Sequence, residues 1–350
     1  MSKIELRNLW FSVHKWIGLL LAILIIPVSL SGSALVWHDW LDAQVNPGRY
    51  AVSGPAVLPP SRYVAAAQAV LAPGERIASL RYPEGGEGPV VVSAAPAKPG
   101  ARERVNVYLD GASARVLDKV GSNDGVVRVL HRLHGTLMVP GMGRQIVGWI
   151  GVAMLVSSLT GLWLWWPLTG SVKRGFRWKR RPQLDANLHH QLGFWVCIPL
   201  AMLSLTGAWI SFPAIFGQLS GARPPQRPAP AAPLTETVQR IDDVVRGAGG
   251  QAVAITWPTG KSPAWKLTLA QGEAEIADAS GAVTTRPPRP ETIARTMRRW
   301  HDGTGMGAVW QVVIFLGGII PAVLAVTGVT MWVGTRRWRR RPARKLAPAE

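Results

Sequence analysis

Four apolar runs constrain this chain before any motif does, because about 20 consecutive apolar residues are enough to cross a bilayer as a helix. They are Trp16 to Trp37, Ile146 to Pro167, Leu192 to Phe216 and Val309 to Val333, in a chain of 350 residues that is 48% hydrophobic. Lipid offers no partner to a free backbone N–H or C=O, so each run is expected to be helical. The expected fold class is a membrane α-helical protein with a four-transmembrane-helix bundle.

The formal charge of +19 is distributed as topology demands rather than as a nucleic-acid surface would be, since cytoplasmic flanks of membrane helices collect Lys and Arg. Lys3, Arg7 and Lys15 precede the first run. Lys173, Arg174, Arg177, Lys179, Arg180 and Arg181 lie between the second and third, and Arg336, Arg337, Arg339, Arg340, Arg341, Arg344 and Lys345 follow the fourth. Both termini and the loop 168–191 are therefore expected in the cytoplasm. The segments 38–145 and 217–308 fall on the other side, the periplasm if the membrane is a bacterial inner membrane. The expected partner is the lipid bilayer, with no nucleic acid. Cys197, the single cysteine, lies within the third run, which excludes a disulfide or a thiolate metal cluster. The first run is longer than the apolar core of a signal peptide, so it is read as a retained helix.

The chain repeats itself. His14, Gly18 and Gly32 match His189, Gly193 and Gly207 at one offset of 175. His134, Thr160 and Gly161 match His301, Thr327 and Gly328 at an offset of 167. The reading is two parallel copies of helix, extramembrane segment, helix, related by an axis along the membrane normal. Each helix carries a small pair, Ser31-Gly32, Thr160-Gly161, Thr206-Gly207 or Thr327-Gly328, expected to let helix backbones approach closely. The domain boundaries read as helices at 1–37 with the N-terminus, 146–167, 192–216 and 309–333, the two long segments, the basic loop, and a basic tail at 334–350.

Within the first long segment the pattern predicts a helix at Ser61–Leu71, strands at Arg76–Tyr82, Pro89–Ala94 and Arg104–Leu109, an Asp110-Gly111 turn and a strand at Ala114–Leu117. The second predicts a helix at Thr235–Val245, strands at Ala252–Trp257, Trp265–Ala270 and Glu273–Ala277, and a turn at Asp278–Gly281. A helix on a small antiparallel sheet is the economical reading of each. Pro-rich Arg223–Pro233 and Arg286–Pro290 read as linkers.

Four of the seven histidines, His14, His134, His189 and His301, fall at the matched positions. By topology His14 and His189 lie near the cytoplasmic face, and His134 and His301 near the periplasmic one. The 24 residues from His14 to His38 span about 36 Å of helix, which puts His38 at the periplasmic level too. Two imidazoles at equal depth on facing helices are what a b-type haem requires: two axial nitrogens, an apolar pocket and no covalent attachment. No CxxCH occurs, so c-type attachment is excluded. The pairs favoured are His14 with His189 and His134 with His301, the histidines serving as ligands to haem iron. His131, His190 and His38 are possible substitutes, but taken singly they read first as interfacial histidines hydrogen-bonded to loops or headgroups, a use that is the alternative for the four matched ones. Arg128, Arg132, Arg144, Arg295, Arg298 and Arg299 are candidates for haem propionates or an anionic substrate, or are solvated charge. No catalytic residue beyond the haem ligands is indicated, and no nucleotide loop, HExxH or nucleophile elbow is present.

The paired H-x-x-x-G helix starts, Leu133-His134-Gly135-Thr136, and Trp300-His301-Asp302-Gly303-Thr304-Gly305, together with two small α+β insertions, give a chain that resembles the PepSY-associated transmembrane family over nearly its whole length. The resemblance implies a haem-bearing bundle of iron-regulated inner-membrane or ferric-siderophore-reductase type, with two periplasmic PepSY-like domains. The implied activity is reduction of ferric siderophore through two b haems, with a quinol or a cytoplasmic reductase as donor. His14, His134, His189 and His301 match that pattern residue by residue. A non-catalytic regulatory or scaffold membrane protein is the alternative from another class. A metal-ion transporter is a third, disfavoured because the four apolar cores hold no Asp or Glu.

Overall fold

A computed structural model describes residues 2–98, 103–166, 173, 176–178, 181–219, 231–287 and 291–339. The basic residues Arg174, Lys179, Arg180, Arg340, Arg341, Arg344 and Lys345, and most of both Pro-rich linkers, lie outside the described residues. In chain order the first part runs α1 (Lys3–Leu35), α2 (His38–Val45), α3 (Pro60–Val70), β1 (Arg76–Arg81), β2 (Val90–Ala95), β3 (Val105–Leu109), β4 (Val116–Gly121), α4 (Val126–Thr136) and α5 (Gly143–Trp165). The second runs α6 (Leu184–Ser211), α7 (Pro213–Leu219), α8 (Ile241–Gly247), β5 (Ala252–Thr256), β6 (Ala264–Leu269), β7 (Gly272–Ala277), β8 (Val283–Arg286), α9 (Ile293–Asp302) and α10 (Gly307–Arg339). The described residues within 1–38, 130–224 and 292–350 form one compact unit, and those within 39–129 and 225–291 another.

In the first unit, α1, α5, α6 and α10 are long and apolar enough to span a membrane. All four begin before their apolar runs because the N-terminal flanks are helix-competent. At the start of α1, for example, Ser2 Oγ accepts from the Glu5 N–H at 3.2 Å while Glu5 accepts from the Ser2 N–H at 2.8 Å, a reciprocal cap that satisfies two otherwise orphaned donors. The third run ends earlier than its hydropathy suggests. Phe212 leaves the helix at φ −113°, ψ 60°, because Pro213 supplies no N–H and disfavours helical geometry in the residue before it. The principal packing pairs are α1–α5, α5–α6, α6–α10 and α10–α1, which close a ring with α1 opposite α6. Its core includes Ala22, Ile25, Val28, Ile150, Met154, Val196, Leu200 and Ala325.

In the second unit the two extramembrane segments do not make separate sheets. They share one eight-stranded antiparallel sheet in the order β4-β3-β2-β1-β5-β6-β7-β8. The join is β1 against β5, with Ser79, Leu80 and Arg81 opposite Thr256, Ile255 and Ala254. A lone four-stranded half would leave β1 and β5 as open edges, and pairing them removes both. Tyr63 and Ala67 of α3 and Val244 of α8 are buried in one cluster with Leu80, Val92, Val107, Ile255, Trp265 and Leu267. Asp242 of α8 accepts from the Ser61 N–H at 2.9 Å and Ser61 Oγ at 2.6 Å, so one helix caps the N-terminus of the other.

Two local expectations are corrected, and one strand is new. The helix expected from Thr235 begins only at Ile241, because the Val238 and Gln239 N–H groups donate to Asp278 and Leu234 N–H to Pro258. The strand expected from Ala114 begins at Val116. The buried Asp110 carboxylate holds the preceding turn, accepting from Ser113 Oγ, Ser53 Oγ and the Ser53 N–H, and Ala114 is left-handed at φ 57°. Finally β8, which is wholly exposed and carries no apolar alternation, was not expected at all.

Candidate functional site

Each matched histidine lies on the small pair of another helix, in one recurring arrangement. His14 of α1 meets α5, where its Nδ1 lies 3.0 Å from the Ser157 carbonyl and 3.2 Å from Thr160 Oγ1. His301 of α9 meets α6 in the same way, 3.2 Å from the Leu203 carbonyl and 3.1 Å from Thr206 Oγ1. His189 of α6 meets α10, 3.0 Å from Thr327 Oγ1. His134 of α4 meets α1, 2.8 Å from the Val28 carbonyl. Relative to the glycine of each pair, Ser157, Leu203 and Val28 all stand four residues earlier.

The glycines make room for the rings. A methyl carbon built on Gly32 would lie 2.7 Å from His134 Cε1. On Gly207 it would lie 3.0 Å from His301 Cε1, on Gly161 3.1 Å from His14 Cε1 and on Gly328 3.5 Å from His189 Cε1. The small pairs were expected to serve close helix approach, yet each is filled by a histidine ring. Direct backbone approach occurs elsewhere, where Gly318 of α10 meets Ser29 and Ser33 of α1 and Gly151 of α5 meets the Ser204 carbonyl.

These contacts fix the chemistry of each ring. A carbonyl can only accept, so Nδ1 of His14, His134 and His301 must carry the proton, and Nε2 holds the lone pair. At Thr160, Thr206 and Thr327 the hydroxyl proton is directed to carbonyls of the same helix. The threonine oxygen is therefore an acceptor too, which places His189 in the same tautomer. A histidine whose Nδ1–H is held by a carbonyl is the usual form of a metal-ligating imidazole.

The four rings meet in two pairs. His14 and His189 have centroids 6.2 Å apart with planes at 87°, and His134 and His301 are 5.8 Å apart with planes at 37°. A metal bound through Nε2 lies about 3 Å from the ring centre, so two opposed imidazoles sharing one metal are about 6 Å apart. Both pairs meet that spacing. The donor set, two neutral imidazoles per level with apolar residues between the levels, fits the axial demand of a b-type haem. Along α1, His14 and the His134 seat at Gly32 are 18 residues apart, about 27 Å of helix.

The remaining histidines are placed otherwise. His190 stacks on Trp165, with ring centroids 5.8 Å apart and planes at 17°. His131 and His38 face one another, with centroids 6.0 Å apart. Arg128 and Arg132 lie on α4 and Arg295, Arg298 and Arg299 on α9, the two helices that bear His134 and His301. Among the described residues no group of three or more His, Cys, Asp or Glu side chains is arranged to hold a metal ion.

The family described as the PepSY-associated TM region matches residues 11–334. The chain belongs to that family. All four matched histidines, their Ser/Thr-Gly seats and the whole eight-stranded sheet of this PepSY-associated protein fall inside the matched stretch. No curated protein matches the chain. Family membership and the four apolar helices make it a membrane protein.

Proposed function

We propose that this PepSY-associated protein is a di-haem b transmembrane electron-transfer protein, with His14 and His189 as ligands at one level and His134 and His301 at the other. When bound, each haem iron would store and release one electron by cycling between ferric and ferrous forms. The observation that carries the reading is the pairing itself: four histidines, each locked at Nδ1, meeting two by two at the spacing one shared metal requires. The contribution of the chain is to fix ring orientation and tautomer before the cofactor arrives, and to surround both levels with apolar side chains.

The wider reading follows the topology. The bacterial inner membrane is the location, both termini and the basic central loop face the cytoplasm, and the sheet unit is periplasmic. Two parallel copies of a helix pair each supply one ligand to each level. The substrate is ferric siderophore on the periplasmic side, where reduction to Fe(II) weakens the hold of a hard oxygen-donor chelator. The donor is a quinol or a cytoplasmic reductase.

The test is haem stoichiometry in purified protein. Wild type is expected to hold two haems, and His14→Ala and His189→Ala one each. The double variant is also expected to hold one, because both residues serve the same iron. A double variant that loses both haems, or single variants that keep two, would contradict the pairing. Dithionite-loaded proteoliposomes then report whether ferric siderophore outside is reduced.

A further inference from the structure

We propose that His38 and His131 form a solvent-facing site for a divalent first-row transition-metal ion, separate from the two partly buried pairs. The rings are 6.0 Å apart with planes at 69°, inside the range of the other pairs, 5.8 and 6.2 Å. His38 Nδ1 lies 3.2 Å from the Leu35 carbonyl, which again sets the proton on Nδ1 and the lone pair on Nε2. The sequence places His38 at the first residue of α2 and His131 three residues before His134 on α4. The two ligands are thus presented by helices, one at the start of α2 and one midway along α4.

What distinguishes this pair is exposure. Both histidines are exposed to solvent, and a b-type macrocycle is retained by apolar enclosure, which an open pair does not give. A hydrated cation has no such need, since water completes its coordination sphere. Imidazole selects zinc, copper, nickel, cobalt and ferrous iron over magnesium or calcium. With two protein ligands and Arg132 next in sequence, the site binds with modest affinity and exchanges its ion readily. It lies one helical turn from His134, on the same helix as a proposed haem ligand, where an iron ion leaving a chelator would find two nitrogen donors. Binding of a cation here does not require the haem reading to hold.

Titration of Co(II) into full-length, detergent-solubilised protein tests this, followed by cobalt absorption and by metal retained after desalting. Wild type is expected to bind one equivalent that His38→Ala and His131→Ala both lose. Groups that merely orient a metal ligand are worth 10–100-fold in affinity, so loss of a ligand is expected to weaken binding about 100-fold or more. His38→Gln and His131→Gln, which keep side-chain bulk and polarity, are expected to behave the same way, separating ligand loss from misfolding. Haem content is expected to stay at the wild-type value in all four variants. Cobalt stoichiometry that is unchanged in the variants, or absent in wild type, overturns the proposal. So does loss of haem from them, which would make the pair haem ligands instead.

Discussion

At the scale of single residues, the glycine under each histidine gives a graded prediction. Alanine at Gly32 would put a methyl carbon 2.7 Å from the His134 ring, while at Gly328 the approach to His189 is an ordinary 3.5 Å. Haem content, measured as the pyridine haemochrome, is expected to fall most in Gly32→Ala and least in Gly328→Ala. Gly207→Ala and Gly161→Ala, at 3.0 and 3.1 Å, fall between. Replacing Thr160, Thr206 or Thr327 with valine removes an acceptor of Nδ1–H and is expected to weaken haem binding about 10- to 100-fold. Ser31→Ala is expected to do less, because Ser31 Oγ bonds the Pro27 and Val28 carbonyls rather than His134. The four histidines were legible from spacing alone. Their seats were legible only as small residues, because sequence spacing does not say whether a gap over glycine admits a backbone or a ring.

At the scale of elements, the sheet unit hangs on polar anchors that hydropathy does not register. Hydrogen bonds from Ser113 and Ser53 hold the Asp110 carboxyl down at about 2, below its ordinary value near 4. A depressed carboxyl adds stability that is full above the unfolded value and disappears as pH falls toward the folded one. Thermal midpoints are therefore expected to drop as pH goes from about 4 to 2, and Asp110→Asn to flatten part of that drop while lowering stability at neutral pH by about 2 kcal/mol. The β1–β5 join makes a second prediction. Leu80→Ala, which empties a fully buried site, should cost about 2–5 kcal/mol. Because the sheet is continuous, hydrogen exchange is expected to quicken in β6 and β7 as well as in β2 and β3. Faster exchange confined to β2 and β3 would mean two independent halves. Apart from β8 the individual strands were readable from pattern, but the join was not, since pairing between edges 175 residues apart, as Leu80 with Ile255, leaves no local signature. The end of α6 was readable in principle at Phe212-Pro213, where a proline signal was outweighed by continued hydropathy.

At the scale of the whole molecule, the four membrane-length helices agree with what hydropathy indicated, and membership of the PepSY-associated family with what the motifs indicated. The structure brings together the two pairs that the spacing favoured, and adds that each ring meets its partner with its proton already placed. His190, adjacent to a ligand candidate in sequence, turns to Trp165 instead, a distinction that side-chain direction on a helix makes and residue numbering does not. The central claim is that two b haems occupy those pairs. An absorption spectrum of the purified, full-length protein before and after dithionite tests it most directly. The account predicts a low-spin bis-histidine haem b spectrum that sharpens on reduction and loses about half its intensity in His14→Ala and in His134→Ala. A colourless protein, or a haem spectrum indifferent to both substitutions, would contradict it.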